Sequence, residues 1–250
     1  MLEVLFTPAD ALALADLDLA DTTCVVFDVL RATSTIVTAL AHGATAIIPV
    51  AEIPDALALQ RQEPQLLLAG ERNGMRIDAS ISGGKDFDFG NSPREFNPER
   101  VRGKTIALST TNGSRVLRAC AGAETILIGS FLNLQATADY LKAHPSETTL
   151  LVCSGTGHQA AYEDVLCAGA LAGLIWPSAD EQQAADSAIM ARQIYEQSQA
   201  NLMAALAHSR NARRLLAIPE LRGDISWCLQ RDVFPLVARM VDSKVIRLPK

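Results

Sequence analysis

Short apolar runs recur along the chain, each followed by a polar cluster and then by a helical pattern. The first complete unit runs from residue 24 to residue 50. Thr23-Cys24-Val25-Val26-Phe27 shows no polar alternation, the pattern of a strand buried on both faces. The polar cluster Asp28-Val29-Leu30-Arg31-Ala32-Thr33-Ser34-Thr35 follows. Residues 36–43 then read as a helix closed by glycine, and residues 46–50 as a second strand. The same order returns with a strand at 105–109, a polar loop at 110–114, a helix at 115–120 and a strand at 125–128. A third unit pairs a strand at 149–153 with the turn Ser154-Gly155-Thr156-Gly157 and a helix at 162–174. Residues 2–6 read as a first strand.

Repeated strand–loop–helix units predict a three-layer α/β/α fold around a mostly parallel or mixed sheet. Right-handed crossovers would carry all three polar loops to one sheet edge. That edge, outside the carboxyl ends of the strands, is where open α/β sheets bind ligands. Residues 1–250 are read as one compact α/β unit. Two lobes, 1–100 and 101–250, with the site between them, are the alternative division. No low-complexity linker separates them. The segment 70–93 lacks regular periodicity, but its interleaved charges and glycines and its Phe87 and Phe89 predict an ordered loop. Residues 179–217 are Ala-rich and read as one or two amphipathic helices beside the sheet, a candidate face for a homodimer. The tail 233–249 ends in a strand at 245–248.

Composition narrows the picture. The 250 residues are 49% hydrophobic, enough for one sizeable core. A net charge of −6 argues against a nucleic-acid footprint, and the short run Arg210, Arg213, Arg214 reads as a solvated helix face. The cysteines at 24, 120, 153, 167 and 228 form no CxxC pair, as expected of reduced, buried thiols. The N-terminus has no signal-peptide pattern, and no apolar run reaches the roughly 18 residues of a membrane helix. A cytoplasmic protein with no membrane partner is expected.

The loops carry the candidate chemistry. Asp28, Glu71, Asp88, Glu163 and Asp164 are loop or helix-start acids able to hold a hard cation. Arg31 and Arg72 suit bidentate contact with an oxyanion. The hydroxyls and amides of Thr33, Ser34, Thr110, Thr111, Asn112, Gly113, Ser154 and Gly155 can cradle a phosphate. Plainer readings compete: a helix cap at Thr33 or Ser34, turns at Asp28 and Asp88, first-turn acids at Glu163 and Asp164, and structural ion pairs at the arginines. Leu30 stands where a nucleophilic aspartate of the haloacid-dehalogenase kind would want a second Asp. Gln159 stands where a Cys153-based phosphatase loop would want Arg. The four histidines form no zinc pair. His158 is a candidate proton donor or an exposed loop residue.

Together, DVLRATST at 28–35, GER at 70–72, DFGNSP at 88–93, TTNG at 110–113, SG at 154–155 and YEDVLCAGAL at 162–171 resemble the 2-phosphosulfolactate phosphatase family. A weaker echo lies in Asp224-Ile225, Cys228, Asp232 and Pro235. The resemblance spans nearly the whole chain and departs at residues 77–85. It implies a Mg2+-dependent phosphomonoesterase that cleaves 2-phospho-3-sulfolactate to 3-sulfolactate and phosphate, on the route to coenzyme M. Asp28, Arg31, Glu71 and Arg72 are then the catalytic candidates. Asn91 and Ser92 join the phosphate-binding set, and Asp28, Glu71, Asp88, Glu163 and Asp164 are the metal candidates. Attack by a metal-assisted water and attack by Asp28 itself both remain open. So do two alternatives, a phosphatase of another small phosphoanion and a phospho-ligand binder that does not hydrolyse.

Overall fold

The structure, a computed structural model, describes residues 1–176 and 183–249. Its strands are β1 (Leu2–Leu5), β2 (Thr22–Phe27), β3 (Ala46–Val50), β4 (Leu67–Arg72), β5 (Met75–Arg76), β6 (Thr105–Ser109), β7 (Thr125–Gly129), β8 (Thr148–Cys153), β9 (Ala238–Val241) and β10 (Lys244–Arg247). They form one sheet in the order β1-β8-β2-β7-β9-β10-β3-β6-β4-β5, interleaving strands from before and after residue 100. The fold is the expected α/β class.

The core strands alternate between two apolar layers, which is why their sequences read as unbroken hydrophobic runs. In β2, Val25 and Phe27 join one core and Cys24 and Val26 the other. In β8, Leu151 and Cys153 face the first and Leu150 and Val152 the second. Helices Leu134–Ala143, Tyr162–Ile175 and Asp186–Ser198 cover the first layer. Helices Pro8–Ala13, Ala32–Ala41 and Gly113–Ala119 cover the second. Tyr162–Ile175 and Asp186–Ser198 cross so closely that a methyl group on Gly169 would sit 2.1 Å from the Ala191 carbonyl oxygen. Residues 179–182 of the expected Ala-rich helical region lie outside the described residues. The remainder forms helices Asp186–Ser198, Leu202–Leu206 and Arg210–Leu216.

One expectation about the sheet needs correcting. The polar loops do not leave a single parallel edge. β1, β8, β2 and β7 form one parallel block and β3, β6 and β4 another. The hairpin β9–β10 joins the blocks through antiparallel pairs, at Leu127 with Arg239 and at Val245 with Ile47, so the blocks are formally opposed. Adjacent strands rotate by about 20–25° on average, so the steps from β2 to β6 turn the strand direction by roughly 100°. Twist of this size lets formally opposed strands deliver their loops to a common crevice.

The segment 70–93 is ordered, and it contains the tight hairpin β4–β5. Phe89 closes backbone bonds with β4, donating to Leu68 O (3.1 Å) and accepting from Gly70 N (3.2 Å), and its ring stacks on Phe96 at 4.7 Å. Residues 77–85 hold a short helix, Ala79–Ser82. All five cysteines are free and buried. No helix among the described residues is long and apolar enough to cross a membrane.

Candidate active site

The loops after β2, β6 and β8 meet the β4–β5 turn, and side chains from each loop bind the others. Asn112 Nδ2 donates to Ser154 O (3.3 Å) and Gly155 O (3.0 Å), joining the second loop to the third. Thr111 donates to Glu71 Oε1 from its backbone N (3.2 Å) and Oγ1 (2.9 Å), while Gly74 N donates to Oε2 (2.7 Å). Asp164 accepts from Val29 N (2.8 Å) and Gly155 N (3.1 Å), joining the first loop to the third. These bonds enclose a crevice of about 250 Å3. Asp28, Arg31, Glu71, Asn91, the 110–112 loop and Gly155 all line it.

Asp28 sits where β2 gives way to helix Ala32–Ala41. Its Oδ1 accepts from Ala32 N (3.3 Å) at the start of that helix, a local contact of the kind a turn residue makes, while neither Thr33 nor Ser34 caps the helix. The other, Oδ2, points at the 110–113 loop, where a side chain on Gly113 would approach it to 2.7 Å. Glycine at 113 leaves room for that approach; a Cβ there would push the Asp28 carboxylate aside. Arg31 is only 3% exposed. Its Nη1 donates to Asp224 Oδ2 (2.8 Å) and its Nη2 to Gly74 O (2.7 Å), which fixes the guanidinium at the crevice wall. Thr35 Oγ1 donates to Asn91 O (2.9 Å), which fixes Asn91 in the crevice lining.

Other candidates stand behind this wall. Thr33 Oγ1 accepts from Asp28 N (3.1 Å) and Ser34 Oγ donates to Val29 O (2.9 Å), so both hydroxyls are spent on shaping the first loop. Ser92 Oγ donates to Asp224 Oδ1 (2.6 Å), and Ser154, the first residue of the third loop, is buried and outside the lining. Arg72 turns away from the crevice, donating to Glu71 O (2.7 Å) and Ser109 Oγ (3.1 Å). Asp88 accepts from Leu68 N (2.8 Å) beside β4 and does not line the crevice. Glu163 is buried and accepts from Asn211 Nδ2. His158 is exposed and outside the lining.

The electrostatics are those of crowded acids. Burial pushes the Asp28 carboxyl up to about 6 from an ordinary 3.8; the Ala32 N–H pulls it back, and the Glu71 and Glu163 charges add to the rise. Asp164 is held well above its ordinary value, first by burial and then by Asp28 and Glu163. Glu163 is raised by burial against the hydrogen bond from Asn211. A bound cation would relieve this repulsion. Buried Asn91 Oδ1, Asn211 Oδ1 and Ser154 Oγ have no hydrogen-bond partner. Carboxylate, amide and hydroxyl oxygens are the donors a hard cation takes, and sulfur and imidazole are missing from the crevice lining. No group of three or more His, Cys, Asp or Glu among the described residues could hold a metal alone. Mg2+ needs only one or two carboxylates when waters and a phosphate complete its shell, so the donor set fits it.

Four residues that matter here carried weak sequence signals or none. Asn73 lines the crevice from the β4–β5 turn. Asn211 and Arg214 line it from helix Arg210–Leu216, so Arg214 is not merely on a solvated face. Asp224, fully buried and bonded to Arg31 and Ser92, was visible only as a faint part of the family resemblance.

The fold and site define an α/β protein with a crevice lined by carboxylates, hydroxyls, amides and a fixed arginine. The profile of the family described as 2-phosphosulpholactate phosphatase matches residues 10–243. A protein of Thermotoga maritima named "Probable 2-phosphosulfolactate phosphatase" is 39% identical over 224 residues, covering 90% of this chain and 91% of its own. Similarly named proteins of Caldanaerobacter subterraneus subsp. tengcongensis (37% over 227 residues) and a Synechococcus species (39% over 230 residues) each match over 90% of both chains. The chain belongs to the 2-phosphosulfolactate phosphatase family.

Proposed function

We propose that this protein is a Mg2+-dependent phosphatase that hydrolyses 2-phosphosulfolactate to sulfolactate and phosphate. The observation that carries the reading is the meeting of Asp28, Arg31, Glu71 and the 110–112 loop on one crevice, in a chain of this family. Asp28 and Glu71, with the amide oxygens of Asn91 and Asn211, are the residues that would hold the cation. Bound there, Mg2+ would supply charge neutralisation at the phosphoryl oxygens.

The chain's own groups do the rest. Arg31 presents its remaining N–H groups to the phosphoryl oxygens, and its two anchors keep it from reorganising as charge develops. Thr110, Thr111 and Asn112 orient the ester from the facing wall. Asp28 Oδ2 faces the space where an attacking water or the phosphorus atom must sit, while Oδ1 stays bonded to Ala32. The test is phosphate release from synthetic 2-phosphosulfolactate, with Mg2+ and then with EDTA. Release with Mg2+ that EDTA stops supports the reading. No release under either condition refutes the function, and full turnover in EDTA refutes the metal.

A further inference from the structure

We infer that Arg214 reads the non-reacting anionic end of the substrate while the phosphoryl group is held at Arg31; this rests on the phosphatase reading above. Asn211 and Arg214 lie three residues apart on helix Arg210–Leu216, so they share a face, and both line the crevice. Of its arginine neighbours, Arg210 is already engaged, donating to Gln159 Oε1 (2.7 Å) and Thr156 O (3.2 Å). Arg213 does not line the crevice. Arg214 is exposed at the mouth and makes no ion pair among the described residues.

Its position relative to Arg31 assigns the division of labour. Arg214 Nε lies 3.8 Å from where a side chain on Gly74 would begin, and Gly74 O is the acceptor that fixes Arg31 Nη2. Two guanidinium groups therefore flank one turn. The inner one is buried, tied at two points and beside Asp28. The outer one is exposed and untied among the described residues. A fixed donor stabilises charge that develops in the transition state. A free one adds ground-state attraction for a group whose charge does not change during reaction. A chain of net charge −6 also repels a multiply charged substrate, so a cation at the mouth is where attraction is needed. The Arg214 charge is felt at Glu163, whose carboxylate is bonded to Asn211.

The test is steady-state kinetics of Arg214→Ala and Arg214→Lys in the full-length protein with Mg2+. A charge-assisted contact of this kind is worth about 10- to 100-fold in affinity. For Arg214→Ala, KM for 2-phosphosulfolactate should rise by about that factor, with kcat within about threefold. Arg214→Lys should fall between. Inhibition by sulfolactate should weaken in step, while inhibition by inorganic phosphate should stay within about threefold. The substrate 2-phospholactate, which lacks the sulfonate, separates the two spectator anions: an unchanged KM assigns the sulfonate, a raised one the carboxylate. Unchanged KM for 2-phosphosulfolactate, or phosphate inhibition lost equally with sulfolactate inhibition, overturns the inference. Inactive wild type overturns the phosphatase reading instead, and the two failures are distinct.

Discussion

Replacing Asp28 with asparagine should remove activity and at the same time stabilise the metal-free protein at pH 8. The carboxyl is raised to about 6 from 3.8. At roughly 1.36 kcal/mol per pH unit, the ionised form costs up to about 3 kcal/mol; an open crevice screens part of that, leaving about 1–3 kcal/mol. The sign follows from proton uptake. Between the two values the folded state holds the proton and the unfolded state does not, so stability falls as pH rises through this window. The cost is full above pH 6 and gone below about pH 4. Asparagine keeps an oxygen for Ala32 N–H and carries no charge. For a chain of this length the variant should melt about 2–12 °C above the wild type at pH 8 without metal. The gap should close as the pH falls toward 4. Turnover should drop on the order of 100-fold or more. Mg2+ should then raise the wild-type melting temperature and leave the variant's unchanged. Differential scanning calorimetry in EDTA at several pH values reads the charge effect, the same scans with excess Mg2+ read the metal effect, and phosphate release reads turnover. A variant that melts below the wild type at pH 8 would show that helix capping outweighs charge burial. One with near wild-type kcat would show that Asp28 is only a turn residue.

Asp224→Asn leaves the Arg31 charge buried without its partner, so the melting temperature should fall by roughly 6–20 °C, from about 3–5 kcal/mol; an unchanged melt would show that the Gly74 carbonyl alone suffices. Arg72→Lys should leave KM within about threefold, because Arg72 binds Ser109 and the Glu71 carbonyl and not the crevice. A tenfold rise in KM would return that arginine to the substrate. Asn211→Leu should cost about 1–3 kcal/mol by stranding the buried Glu163 carboxylate, and chemical denaturation reads the loss. A variant as stable as wild type would mean that Glu163 is neutral or solvated.

The sheet was legible where strands are buried on both faces, because no polar residue interrupts β2, β6, β7 or β8. β10 was legible as the expected strand at 245–248, but its partner β9, four residues long and carrying Arg239, was not, and neither was the junction by which the pair sets the two parallel blocks against each other. The loops after β2, β6 and β8 announced themselves as hydroxyl-rich turns at strand ends. What sequence order could not show is which of their hydroxyls face the crevice. Thr33 and Ser34 have the right chemistry, but the backbone of the first loop takes their hydrogen bonds. Arg214 failed in the opposite direction. An arginine-rich short helix reads as solvated, and only the path of the chain after residue 183 lays its Asn211 and Arg214 face over the site.

Glu71 and Asp164 show how this crevice stays rigid while crowded with charge. Each carboxylate accepts backbone N–H groups from two loops: Thr111 and Gly74 for Glu71, Val29 and Gly155 for Asp164. A carboxylate that satisfies otherwise orphaned loop amides offsets its own desolvation. Asp28 differs, for only Oδ1 has a donor and Oδ2 does not. Glu71 and Asp164 therefore hold loops, Glu71 doing so while it lines the crevice, and Asp28 Oδ2 is the carboxylate oxygen of the three left without a donor. That division depends on the number of N–H donors each oxygen meets, a quantity fixed by how the loops meet and not by the residue type at any position.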